Sequence, residues 1–193
     1  MDWYVDLDIH PVDGLTVLQV LESLMQRLHS RLASGQVTGI GLSLPRHDPA
    51  GTFTGNVLRV HGQRPALEAL LASAWLQPVR EHLQQIGPAP VPPGARHRIV
   101  YRRQSSANVG ARARRAARRQ QIPMEEAQRR YEQAAEGQML ALPHVFLFSS
   151  KTKQVFPLFI EHGPILSEPQ EGVLGSYGLS SHASGGAASV PWF

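Results

Sequence analysis

No cysteine occurs among the 193 residues, which excludes disulfides, thiolate zinc sites and cysteine nucleophiles. Lysine is nearly missing as well. It stands only at Lys151 and Lys153, so 17 of the 19 basic residues are arginine. No uncharged apolar run approaches the ~20 residues that a membrane helix needs. The amino-terminal stretch Met1-Asp2-Trp3-Tyr4-Val5-Asp6 lacks the basic and apolar segments of a secretory signal. A cytoplasmic protein without membrane contact is expected. No G-x-S-x-G, P-loop or G-x-G-x-x-G is found, and the nine histidines show no H-x-x-x-H spacing or carboxylate cluster. No cofactor and no metal are expected, and metal-dependent hydrolysis is disfavoured, because a two-metal nuclease needs more ligands than Asp6 and Asp8. That pair shares one strand face, which reads as a solvated face.

What is present is unevenly placed. Between Arg96 and Arg119 stand nine arginines and no acid. This window carries +9 against a chain total of +4, so the other 169 residues carry −5. Guanidinium suits phosphate and guanine better than ammonium does, so the block reads as a site for a polyanion. Trp, Phe and Leu are not interleaved with it, which makes lipid a poor partner.

The apolar fraction, 42%, is that of an ordinary globular core. Residues 3–10 alternate as a half-buried strand. From Thr16 to about Ala33 the period turns helical, with Leu18, Leu21, Leu24, Met25, Leu28 and Leu32 in one stripe. Strands follow at 39–44 and 56–61, then a helix from Pro65 to about Gln85 that Pro78 kinks or splits. A proline-rich loop spans 87–94 and a fourth strand runs over 97–104. Strand, helix, strand, strand, helix, strand is the split βαβ, ferredoxin-like arrangement. The fold class is therefore α+β. A ferredoxin-like domain at 1–104 is followed by an irregular domain at 105–193, with an arginine-rich helix at 108–120, a second helix to about 136 and a small antiparallel sheet. In that sheet a hairpin joins 144–149 to 154–160, a further strand lies near 173–177, and a small-residue loop follows at 180–189.

On the basic helix, Arg112, Arg115, Arg118 and Arg119 share an arc of about 120° at ~100° per residue, with Ala113, Ala116 and Ala117 opposite. A charge run is ordinarily a solvated face, but such faces mix glutamate with arginine and this one has none. RNA or DNA binding follows. Asn108 reads first as the helix N-cap. Arg102 and Gln104 share a strand face, where arginine can bond guanine and glutamine adenine. His29 lies on the rim of the first helix's stripe, a position usually structural. Ser149, Ser150, Phe156 and Tyr177 are each weak signals, as turn formers and strand core.

Together these pieces resemble a known family, the subtype I-F CRISPR precursor-RNA endoribonucleases, the Csy-four type within the Cas-six superfamily. The carriers are Met1-Asp2-x-Tyr4, Leu28-His29, Ile40-Gly41-x-Ser43-x-Pro45, Arg102-x-Gln104 with Asn108, and the arginine helix 112–119. Later come Leu158-Phe159-Ile160, His162-Gly163-Pro164, Tyr177-Gly178-Leu179-Ser180 and Val190-Pro191-Trp192-Phe193. The resemblance spans essentially the whole chain. It implies an enzyme that binds the stem-loop of a CRISPR repeat, cuts at the 3′ base of the stem without a metal, leaves a 2′,3′-cyclic phosphate and stays on the product. Its partners would be the repeat hairpin and the other subunits of the type I-F surveillance complex. By the same resemblance His29 would deprotonate the 2′-hydroxyl, Ser149 (or Ser150 after a one-residue slip) would hold the ribose, and Tyr177 would orient the histidine. Arg102 and Gln104 would read the foot of the stem. Arg115, Arg118 and Arg119, with Arg112, would enter the major groove, and Phe156 would stack on the terminal base pair. The other readings of the residues are a non-cleaving RNA hairpin-binding module of the same fold and a DNA-binding regulator.

Overall fold

A computed structural model of the chain describes residues 1–103, 109–135, 140–181 and 186–193, with the backbone alone at 109–112 and 131–135. It is a mixed α+β structure with two sheets. Strand β1 (Trp3–Ile9) pairs antiparallel with β3 (Val57–Gly62) and with β4 (Leu83–Pro90), and β2 (Gly41–Ser43) adds to the far side of β3. The order is β2-β3-β1-β4. Helix α1 (Val17–Ala33) connects β1 to β2. Helix α2 (Arg64–Ala72) and a 3₁₀ helix, Ala74–His82, connect β3 to β4.

Helix α1 begins at a capping box. The Thr16 hydroxyl accepts from the Gln19 amide at 3.2 Å, and the Gln19 side chain accepts from the Thr16 amide at 2.8 Å. Its buried face is Val20, Leu21, Leu24, Met25 and Leu28. Leu18, expected in this stripe, is exposed. Val20 is buried instead and Val17 packs partly buried against the core, so the buried arc is rotated away from Leu18.

Two expectations need correction. The segment read as helix end and proline loop is strand β4, while 97–104 does not complete the first sheet. Its strand, β5 (Arg96–Arg103), is central to the second sheet. Strand β4 lies at a sheet edge, where Pro88 and Pro90 need no second ladder partner. Its residues are mostly exposed, so it has no apolar alternation to read. The helix expected over 65–85 ends as α-helix at Ala72, and Pro78 is accommodated in 3₁₀ geometry.

In the second sheet β6 (His144–Ser149), β7 (Gln154–Leu166), β5 and β8 (Ser180–Ser181) lie in that order, and β9 (Ser189–Trp192) pairs with β5 beside β8. The strand expected near 173–177 is reduced to a single bridge, Val173 with Ala187, and strand pairing occurs instead at both ends of the expected 180–189 loop. Contacts divide the chain into Met1–Arg103 with Leu142–Phe193, and Gln104–Ala141. The sequence reading divided it once, after 104; β6 to β9 rejoin the first part because they pair around β5. In the smaller unit α3 (Val109–Gln120) and α4 (Met124–Ala135) bury Ala113, Ala116 and Ala127. Among the described residues no helix is long and apolar enough to cross a membrane.

The larger unit has one core, in which Leu7, Leu24 and Leu58 meet Leu147, Leu158, Ile160 and Val190 from the second sheet. Asp6 and Asp8 are not the solvated face expected. Arg59 donates to both Asp6 oxygens at 2.7 and 2.8 Å and to the main-chain oxygen of Phe193 at 2.8 Å, while its guanidinium lies 3.9 Å from the Phe193 ring centroid. Asp8 is buried and accepts from Asn56 and Arg46. Arg59 thus holds the carboxy-terminal end, and with it β9, against the first sheet. Removing one member of a buried, hydrogen-bonded pair costs about 3–5 kcal/mol, so Arg59→Ala should lower the unfolding free energy by that amount in urea titration. A loss of about 1 kcal/mol or less, as for an exposed pair, would show that the clamp is solvated.

Candidate active site

Helix α1 presents His29 one residue after Leu28, which is wholly buried and fixes the local orientation of the helix. The half-buried imidazole stacks on Tyr177 with ring centroids 3.9 Å apart and planes 5° from parallel. Its Nδ1 lies 3.0 Å from the main-chain oxygen of Ser176. A carbonyl can only accept, so Nδ1 must carry the proton. In the neutral ring Nε2 is then the acceptor. The arrangement can take a proton from a substrate hydroxyl at one defined atom.

Tyr177 is positioned by a tight turn. The Gly178 amide donates to Gly175 O at 2.9 Å, the Gly175 amide to Leu179 O at 2.9 Å, and Gly178 O accepts from the Leu42 amide at 2.8 Å. Gly178 has φ +67°, and a Cβ there would stand 2.7 Å from Leu42 Cγ. Only glycine gives this backbone conformation and this approach without strain. Beyond the turn, β8 pairs Ser181 with Arg102 of β5. The Arg102 guanidinium lies 4.5 Å from the Tyr177 ring centroid. The tyrosine ring therefore carries both an imidazole stack and a cation contact.

Ser149 ends β6. Val145 and Leu147 of that strand are buried and Phe146 and Phe148 exposed, so Ser149 continues the inward row and Ser150 the outward one. The Ser149 hydroxyl accepts from the Thr152 amide at 3.2 Å, and Ser149 O accepts from the Lys153 amide at 2.8 Å. Strand β6 is fastened to α1 by side chains. Glu22 accepts from the Phe146 amide at 2.9 Å and Gln26 from the Phe148 amide at 2.8 Å. One helical turn, about 5.4 Å, nearly matches two strand residues, about 6.8 Å. Continued by one step, this register sets the end of β6 beside the turn of α1 that carries His29.

Phe156 stands opposite Leu147 and packs, partly buried, against the core. On α3, Arg115, Arg118 and Arg119 are exposed while Ala113 and Ala116 are buried. Arg112 falls on the same helix. Gln104 and Asn108 lie outside the described residues. The sequence carried no sign of the Ser176 carbonyl or the Arg102–Tyr177 contact. Glu22 and Gln26 were discoverable only as a polar i, i+4 pair beside the apolar stripe. His162 and Trp192, from two of the motifs that carry the resemblance, prove to be packing partners. His162 stacks on His47 at 3.7 Å, and Trp192 lies 5.5 Å from His162. Burial, helped by His47 and Arg98, pushes the His162 pKa down to about 3, so the ring stays neutral.

The family model described as CRISPR-associated protein (Cas_Csy4) matches residues 4–193. Two curated relatives, both named CRISPR-associated endonuclease Cas6/Csy4, align over the whole of both chains. The one from Pseudomonas aeruginosa (strain UCBPP-PA14) is 38% identical and the one from Escherichia coli (strain UTI89 / UPEC) 33% identical.

The geometry makes a spectroscopic prediction. Two-dimensional ¹H–¹⁵N spectra of the imidazole nitrogens at a pH where His29 is neutral should show the Nδ1-protonated tautomer. An Nε2-protonated ring would mean that the Ser176 bond does not persist in solution.

Proposed function

The chain belongs to the Cas_Csy4 family of CRISPR-associated proteins, and from that premise we propose that it is a metal-independent endoribonuclease of CRISPR repeat RNA. The observation that carries this reading is the His29–Tyr177 stack with Nδ1 donated to Ser176 O, which leaves Nε2 as base. In the proposed reaction Nε2 takes the proton of the 2′-hydroxyl upstream of the scissile phosphate. The 2′ oxygen attacks phosphorus, the bond to the 5′ oxygen breaks, and that oxygen leaves with a proton. A 2′,3′-cyclic phosphate results. In-line placement of an internal nucleophile and one general base supply the chemistry. Ser149 holds the ribose, and Tyr177 fixes the imidazole plane.

Arg102 reads the foot of the stem together with Gln104, and its contact with Tyr177 couples base recognition to the base catalyst. Arg115, Arg118 and Arg119, with Arg112, contact the hairpin's phosphates and reach guanine edges where the groove widens near the loop, because the major groove of A-form RNA is otherwise too deep and narrow for side chains to read. Phe156 stacks on the terminal base pair. The enzyme remains on the mature RNA as a subunit of a type I-F surveillance complex in the cytoplasm. We read residues 1–90 as a ferredoxin-like unit completed by β4, which the order β2-β3-β1-β4 supports.

Incubation with its repeat RNA in EDTA should yield the cyclic phosphate. His29→Ala should slow cutting by about 10²–10⁴-fold, the usual share of a general base, with hairpin affinity nearly unchanged. Intact RNA in EDTA overturns the reading, and collapse of affinity in the variant makes His29 structural. A 2′-deoxy substrate that is bound but not cut separates the nuclease from a passive hairpin binder.

The arginine helix is tested by salt. Replacing Arg115, Arg118 and Arg119 with alanine should reduce the slope of log affinity against log salt by about 2–3, at ~0.7–0.9 per phosphate contact. An unchanged slope would place the helix away from RNA.

A further inference from the structure

The hairpin that carries Ser149 has a second face. Phe146 and Phe148 are 42% and 49% exposed, and Val155, directly across from Phe148, is 66% exposed. Single exposed apolar residues are ordinary, but three neighbours on one face of one hairpin form a patch. The His144 ring meets Phe146 edge-on at 5.4 Å, and Pro157 lies across from it, so this ring is supported while remaining open. The two lysines of the chain, Lys151 and Lys153, both stand exposed in the connecting turn. Residues 144–160 contain no acid. The nearest carboxylate on α1, Glu22, is turned onto the Phe146 amide.

We propose that this face binds the unpaired RNA adjoining the foot of the hairpin on the 3′ side of the cut. The proposal rests on the reading of Ser149 as part of the cleavage site. Aromatic rings with flanking cations are the usual platform for single-stranded nucleic acid, because every base has a face to stack and every nucleotide a phosphate. Phe146 and Phe148 are two residues apart, about 6.8 Å along the strand, which leaves room for one base on each ring. Strand β6 places Ser149 on its inner face and the rings on its outer face. A chain leaving Ser149 therefore reaches the patch by rounding the turn that holds Lys151 and Lys153. A protein partner would find the apolar area, but the lack of any acid over 144–160 and the paired lysines favour a polyanion.

The test compares two RNAs that carry a 2′-deoxy nucleotide at the cut site: the hairpin alone, and the hairpin with a 3′ unpaired extension. Wild type should bind the extended RNA more tightly. The double variant Phe146→Ser, Phe148→Ser should lose that gain, about tenfold or more per ring, and keep its affinity for the hairpin alone. Phe146→Tyr with Phe148→Tyr should retain the gain, which separates stacking from a folding defect. No gain in wild type, or a gain that survives the serine variant, overturns the proposal; unchanged affinities for both RNAs would leave the patch to a protein partner. A 4-thiouridine placed in an unpaired oligonucleotide should crosslink to the 144–155 segment, and crosslinks elsewhere alone count against the face. This last arm does not depend on hairpin recognition, whereas failure to bind the hairpin alone counts against the nuclease reading.

Discussion

Two side-chain oxygens on one helix decide where the second sheet can lie. An edge strand carries unpaired amides that must be satisfied by something, and on β6 the amides of Phe146 and Phe148 are taken by Glu22 and Gln26 of α1. That docking sets the register between the helix carrying His29 and the strand carrying Ser149. It also divides β6 into an inner row, Val145, Leu147 and Ser149, and an outer row, Phe146 and Phe148. The placement of Ser149 along α1 and the outward turn of the two rings both follow this docking.

The His29 environment is completed from a distance. Its Nδ1 partner lies 147 residues away in sequence, in a turn that only Gly178 allows to press against Leu42. Tyr177 is stacked by an imidazole and contacted by the Arg102 cation. Under the proposed mechanism this stack does two things. It removes rotational freedom from the base before substrate arrives, and it ties the strand that reads the RNA to the residue that cuts it. The Arg59 clamp holds the carboxy-terminal strand, which pairs along β5 next to β8. Neutral, half-buried His162 stacked on His47 adds packing there without adding charge.

Elements with a strong period were readable from the sequence: β1, α1, β3 and the β6–β7 hairpin all occur near their expected positions. Strand β4 was not, because an exposed edge strand with prolines has neither alternation nor high strand propensity. The assignment of 97–104 failed for a different reason. Its short apolar run Ile99-Val100-Tyr101 marks a strand correctly, but a local run is silent about which sheet the strand joins. The expected solvated face at Asp6 and Asp8 failed similarly, since a carboxylate's partner, here Arg59 on β3 or Asn56 just before it, lies in another segment.

The chain's order of residues by itself determined the charge contrast, the class of fold and, through a constellation of short motifs, the family. Each of these depends on composition or local spacing, and local physics expresses them without reference to the rest of the molecule. Tertiary structure alone decided which nitrogen of His29 is free, which ring covers it, which arginine covers that ring, and which face of the hairpin stays open. Those are contacts between segments far apart in sequence. They are settled by how strand edges, helix faces and one glycine turn fit together, and no local pattern records that fit.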